Sequence, residues 1–160
     1  MAVIDYEDKL DKIYNMFNNA NATGASYELF TNMDKPIQRI VKGNPANIPN
    51  QVTHYPAIYI NLNSKETEFS DIMKSGGRYK CEINWDVYGF VFKAPGSNNS
   101  DQQVRYLAEN IEEVVRRNIT LSGLSDNLYN FIDTTEFAGL EEDGIYLSAV
   151  RLNLRTVHLY

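Results

Sequence analysis

The chain has 160 residues, of which 43% are hydrophobic and 22% charged, and its formal net charge is −6. This length and composition are typical of one globular domain with a buried core, so we assign residues 1–160 to a single domain. The acidic charge argues against general binding of nucleic-acid phosphates, and no apolar run resembles a signal peptide or approaches the ~20 residues of a membrane span.

The first third of the chain predicts an amphipathic helix followed by irregular structure. Within residues 5–18 the apolar side chains recur at helical spacing, and Asp5 is a suitable N-cap. Residues 28–31 and 37–42 are interpreted as two short strands separated by a proline turn. Residues 43–50 contain two prolines and three asparagines, which predicts a loop.

The strongest strand pattern covers residues 78–93, where one face is apolar and the other changes from polar to aromatic. Period-two alternation of this kind predicts a long β-strand. A shorter strand is predicted over residues 55–63. The polar residues 64–77 between these strands predict a loop longer than a tight hairpin needs. Residues 94–99 predict a second loop, which ends the long strand.

The rest of the chain predicts a second amphipathic helix and a hairpin. The helix covers residues 100–118, with one apolar stripe and two arginines near its C-terminal end. Residues 122–130 predict a polar turn, and residues 131–137 a short strand. A hairpin turn is predicted at residues 141–144, which end in Asp-Gly, and residues 145–160 alternate as a second long strand.

These elements occur in the order α-β-β-β-α-β-β, and the hairpin-like connections favour antiparallel pairing. We therefore predict an α+β fold, in which two amphipathic helices cover a mostly antiparallel sheet with long strands. The pattern leaves open whether the helices cover one face or both. A strand that is apolar on both sides at one end must be covered twice, by its own helices or by another subunit.

The sequence offers no arrangement typical of a catalytic or metal site. His54 and His158 are not spaced from a serine or cysteine as in a triad, nor from another ligand as in a metal pair. The single cysteine, Cys81, falls on the apolar side of a strand, which is typical of a small buried side chain. We predict no enzymatic activity, no cofactor and no bound metal.

Two arginines and two polar segments are candidates for contacts with other proteins. Arg151 and Arg155 lie on the same face of the final strand, where charges either protect a sheet edge or pair across an interface. The sequence leaves both interpretations open. The length and polarity of the two polar segments make them candidates as well. Their candidate interface residues are Lys65, Glu66, Glu68, Asp71, Lys74, Asn98 and Asn99.

The order of elements resembles the phage tail terminator family, also described as tail completion or tail-to-head joining proteins. The similarity rests on the N-terminal amphipathic helix, the strand YPAIYINL at residues 55–62 and the polar loop that follows it. It continues through YKCEINWDVYGFVF, the helix DQQVRYLAENIEEVVRR and the closing hairpin DTTEFAGLEEDGIYLSAVRLNLRTV. Most of the chain is covered in order and length, whereas residues 27–50 match nothing in the family.

The resemblance implies a structural virion protein. Such subunits form a hexameric ring on the last ring of the tail tube, stop tube polymerisation and present a surface to the head. The implied partners are other copies of the chain, the tail tube protein, the head-completion or neck protein and, in a contractile tail, the sheath protein. DNA passes through the lumen of such a ring without specific binding. The implied location is the tail–neck region of the virion, after assembly in the host cytoplasm.

Two alternatives stay open from the sequence. Another neck component, such as a head–tail stopper or a tail-to-head joining protein, shares this small α+β character. A small ligand-binding or enzymatic α+β domain is the unrelated alternative, and it requires a pocket with convergent polar groups.

Overall fold

The computed structural model describes residues 4–45, 52–68, 79–93, 99–142 and 145–159. The helices and strands are α1 (Tyr6–Ala20), β1 (Arg39–Lys42), β2 (Ala57–Glu68), β3 (Lys80–Phe92), α2 (Asn99–Arg117), β4 (Asn127–Glu142) and β5 (Ile145–Leu159). The strands form one sheet in the order β1-β2-β3-β5-β4. β1 pairs with β2 in parallel, and the other pairs are antiparallel. The predicted α+β class is confirmed, with a mixed sheet.

Both helices pack against the same side of the sheet. Phe17 of α1 and Leu107 of α2 belong to one buried cluster with Trp85 at the centre of β3, and each of these three side chains is fully buried. The opposite side, which neither described helix covers, is called the helix-free face below. It carries the even-numbered side chains of β3, the odd-numbered side chains of β5 and their partners in register.

Helix α1 begins and ends at residues whose side chains satisfy free backbone groups. The carboxylate of the N-cap Asp5 accepts a hydrogen bond from the backbone N–H of Asp8, at 3.0 Å. At the other end, the side chain of Asn21 donates to the backbone oxygen of Ile37 at 2.8 Å and accepts from its N–H at 3.0 Å. This pair of bonds holds the segment between α1 and β1 against the helix.

The prediction of a strand over residues 28–31 is wrong. These residues form turns, in which the backbone N–H of Thr31 donates to the oxygen of Glu28 at 3.0 Å. Side chains from α2 hold the turns in place. Asn110 accepts from the Tyr27 hydroxyl at 2.8 Å and donates to the Thr31 oxygen at 2.9 Å. The segment therefore satisfies its backbone groups through a helix, not through a strand ladder.

Two strands are longer than their sequence patterns predicted. Strand β2 continues past a bulge at Leu62 and Ser64 to Glu68, so the first part of the predicted loop at residues 64–77 is strand. The remainder of that loop lies outside the described residues. Strand β4 covers Asn127–Glu142, although the sequence predicted only residues 131–137. In both cases a long neighbouring strand supplies a ladder partner to residues whose own β propensity is low.

Gly89 lies where α2 packs closely against the sheet. A Cβ atom at this position would lie 2.7 Å from Leu107 Cδ2 and 2.9 Å from Val150 Cγ1, both in the buried core. We expect Gly89→Ala to lower the free energy of unfolding by about 1–3 kcal/mol, because the overpacked core must shift. Gly139→Ala is the matched control, since a Cβ at Gly139 meets nothing within 4 Å. Urea denaturation measures both, and equal effects would contradict this account of the packing.

Candidate interaction surface

Arg151 pairs with a buried carboxylate on the helix-free face. Its guanidinium Nη2 lies 3.2 Å from Asp86 Oδ1, and Asp86 is only 5% exposed. The side-chain amide of Asn63 donates a further hydrogen bond to Asp86 Oδ2 at 3.0 Å. The neighbouring carboxylate raises the pKa of Arg151 above its ordinary value. This pair joins β3 to β5 across the face and satisfies a carboxylate that would be costly to bury alone.

Arg155 connects three strands on the same face. Its Nη1 lies 3.4 Å from Glu82 Oε2 on β3, and its Nη2 lies 2.9 Å from Asp133 Oδ2 on β4. The Arg155 side chain is 31% exposed, so solvent screens both pairs in part. Together with the pair at Arg151, these contacts form a band of alternating charge across β3, β5 and β4.

The interpretation that these arginines protect a sheet edge is wrong. Strand β5 lies between β3 and β4, so Arg151 and Arg155 occupy an interior strand. Both side chains already have partners within the chain, because the register places acidic residues of β3 beside them. A role in subunit contacts stays a prediction, and it must now include the carboxylates as part of one surface.

The other predicted interface residues lie in different places. Lys65 and Glu66 are exposed on β2, with Glu66 opposite Glu82 on the helix-free face. Glu68 ends β2 opposite Lys80.

Asn99 is the first residue of α2, and its amide donates to Asp34 Oδ2 at 2.8 Å. Asp71, Lys74 and Asn98 lie outside the described residues. The structure therefore brings Glu66, Arg151 and Arg155 to one face and leaves Asn99 apart.

The helix-free face has an apolar end as well as the charged band. Tyr59, Phe90 and Leu147 are at most 3% exposed there, with Tyr59 and Phe90 in an edge-to-face contact at 5.6 Å between ring centroids. Tyr88 stacks beside Phe90 at 6.3 Å. The predicted change of the second face from polar to aromatic along β3 is confirmed, because these residues form a second buried cluster separate from the helix-covered core.

The distal half of β4 is the most exposed part of the sheet. Every residue from 136 to 141 is exposed, and this strand lies at the end of the strand order. Large apolar side chains are among them: Phe137 is 54% exposed and Leu140 is 39% exposed, while Tyr146 on β5 beside them is 51% exposed. An apolar, exposed edge strand is a typical site for pairing with another chain.

A cleft lies between this part of the hairpin and the first turns of α2. It has a volume of about 460 Å³ and is lined by residues that include Val104, Arg105 and Phe137. Ser148 lies at its base and donates to Asp101 Oδ1 at 2.7 Å. Sequence reasoning missed this surface because it ended the strand at Phe137. The Asp-Gly pair at residues 143–144 was the signal that could have extended it, because such a turn directly follows a strand of a hairpin.

A buried polar network lies under α1, where the sequence predicted only isolated residues. The register places His158 directly opposite Cys81, and His158 Nδ1 lies 3.5 Å from Asp126 Oδ2. The same Oδ2 atom lies 2.9 Å from the Lys9 ammonium. Cys81 is 1% exposed and His158 is fully buried. Burial raises the pKa of the Cys81 thiol, which favours the protonated thiol over a nucleophilic thiolate.

Within the described ranges, no group of three or more His, Cys, Asp or Glu side chains is arranged to hold a metal ion. Of the helices that the structure describes, none is both long and apolar enough to span a membrane. No family model matches the chain, and no curated protein is significantly similar to it. The contacts and exposures of the surface itself therefore provide the arguments about function.

Proposed function

We propose that this protein is a structural subunit that forms a ring on the end of a phage tail tube. In this function the ring ends tube polymerisation and presents an attachment surface to the head or neck. The proposed partners are further copies of the chain, the tail tube protein and a neck protein, and the proposed location is the tail–neck region of the virion. The subunit acts by binding and needs no catalytic group.

The exposed edge of β4 is the observation that carries this proposal. Phe137 and Leu140 leave apolar surface in water on a strand whose outer backbone groups have no ladder partner among the described strands. Such an edge is unfavourable in a protein that stays monomeric, because its backbone groups and apolar side chains are open to pairing with a strand of another chain. A neighbouring subunit that covers it removes this cost.

The helix-free face supports the same proposal. The side chains of Arg151 and Arg155 are 48% and 31% exposed on this face, which neither described helix covers. A charged face of this kind is suited to a partner with complementary charge, and it contributes more to specificity than to affinity. The resemblance in element order to tail terminators supports this particular assembly.

Tube length tests the proposed function directly. Tail tube protein is polymerised with and without the purified chain, and tubes are imaged by negative stain. We expect shorter tubes with a distinct ring at one end when the chain is present. Unchanged tube lengths and bare ends would contradict the terminator function. Binding to an isolated neck protein without binding to tubes would instead support another neck component.

A further inference from the structure

The two edges of the sheet differ in charge. Strand β1, at one end of the strand order, contains Arg39 and Lys42 and no acidic residue. At the other end, residues 136–142 of β4 contain three glutamates and no basic residue. Among the strands that the structure describes, none lies outside either edge. The sheet therefore has a basic edge and an acidic edge.

This difference in charge disfavours pairing between identical edges. Two β4 edges side by side would bring glutamates together, and two β1 edges would bring Arg39 and Lys42 together. Like charges directly opposite one another on paired strands are destabilising. Pairing of β4 with β1 of a second copy instead places opposite charges together. The charges thus favour a head-to-tail contact over a symmetric dimer, and a head-to-tail contact gives a ring when the rotation between successive subunits closes.

Strand directions are compatible with this contact. The pairings make β4 antiparallel to β1 within one chain, since β1, β2 and β5 run in one direction and β3 and β4 in the other. A second copy that continues the sheet with its helices on the same side keeps these directions. Its β1 then meets β4 in antiparallel orientation, which gives the more stable ladder.

The side chains at the two edges define a register for the contact. Val41 and Leu140 both lie on the helix-free face, because their partners in register are Tyr59 and Leu147. With Val41 opposite Leu140, the apolar residues of the two edges meet. Arg39 then lies opposite position 142 on the helix-free face. Lys42, which already pairs with Asp11 of α1, lies diagonally from Glu141 on the other face. Both basic residues of β1 thus lie next to acidic positions of β4.

We infer that the distal edge of β4 pairs with β1 of a second copy of this chain and so joins the subunits head to tail. This inference rests on the ring proposed above and names the contact that closes it. Strand β1 has only four residues, so each contact is short, and Phe137 and Tyr146 add apolar area beside it. Subunits joined by such short contacts assemble only at high concentration or on a template such as the tube end.

Cysteine crosslinking tests the pairing and its register. Two single variants, Val41→Cys and Leu140→Cys, are mixed and treated with a short thiol crosslinker. We expect a crosslinked dimer in the mixture and none in either variant alone. Cys81, the one native cysteine, is 1% exposed and contributes little background. A dimer from Leu140→Cys alone would show symmetric β4 pairing and overturn the inference.

The matched control replaces Leu140→Cys with Ile119→Cys, because Ile119 is 61% exposed but lies outside the distal edge of β4. We expect no crosslink between Ile119→Cys and Val41→Cys. The double variant Val41→Cys/Leu140→Cys should give a ladder of products up to the full ring. An equal yield with the control would mean that the crosslinks report random collisions, and it would also overturn the inference.

Charge reversal gives a second readout that does not depend on cysteine geometry. Arg39→Glu is expected to raise the concentration needed for assembly about tenfold, because it places like charges at positions 39 and 142, which are opposite one another in the proposed register. Glu142→Lys should restore assembly when combined with Arg39→Glu. Wild-type protein that stays monomeric even with tubes contradicts the ring function itself. Wild-type rings that neither crosslink at these positions nor respond to Arg39→Glu contradict only the edge pairing.

Discussion

Replacing Trp85 by alanine is expected to lower the free energy of unfolding by about 3–5 kcal/mol. Trp85 is fully buried at the centre of β3, between Leu62 and Leu154 in register. Its indole N–H donates to Thr156 Oγ1 at 3.0 Å. The substitution therefore leaves a large cavity and removes the donor to a buried hydroxyl. A domain of this kind has a total stability of about 5–15 kcal/mol, so much of it is lost.

Trp85→Phe is the matched control, since it retains most of the buried ring and removes only the N–H donor. We expect it to lower the free energy of unfolding by about 1–2 kcal/mol. Circular dichroism during urea denaturation is the suitable measurement, because Trp85 is the only tryptophan and its replacement removes the tryptophan fluorescence. Equal losses in the two variants would mean that the hydrogen bond, not the ring volume, stabilises this site.

Acid is expected to destabilise the fold through His158 by about 3 kcal/mol between pH 6.5 and pH 4. Burial, together with the nearby Lys9 ammonium, lowers the pKa of His158 from 6.5 to about 4, although Asp126 opposes the shift. In this window the unfolded chain takes up a proton that the folded chain does not. Stability is therefore full above pH 6.5 and falls as the pH decreases towards 4.

The comparison with His158→Gln isolates this effect. The variant has a lower stability at every pH, so the readout is the change in unfolding free energy between pH 7 and pH 4. We expect a smaller change in the variant than in the wild type. Glu113 does not confuse the result, because Arg116 and Arg117 lower its pKa to about 2 and its contribution is lost between pH 4.5 and pH 2. The same pH dependence in both proteins would contradict the assignment to His158.

Hydrophobic periodicity correctly predicted the helices and strands that have one apolar and one polar face. Strand β3 and helix α2 were found because a stripe of apolar residues in each one contacts the core. Prediction failed where contacts with residues distant in the sequence determine the secondary structure. The turns at residues 28–31 depend on Asn110, which is distant in sequence and shows no pattern of its own. The distal half of β4 is a strand because β5 pairs with it, although most of its own side chains stay in solvent.

The candidate surface was predicted less completely than the fold. Arg151 and Arg155 were correctly placed on one face, but their carboxylate partners depend on the register between β3 and β5. That register cannot be read from one strand alone. The cross-strand position of Cys81 and His158 was missed for the same reason. Phe137 and Leu140 were visible in the sequence, yet only the strand order reveals that they occupy an edge.

The proposed function requires that this chain assembles with itself into a ring. Native mass spectrometry of the purified protein across a concentration series, with and without tail tubes, tests it most directly. We expect a species of six chains, present either alone at high concentration or only after tubes are added, with a ring visible by negative stain. A protein that has the mass of one chain at every concentration and ignores tubes would contradict it.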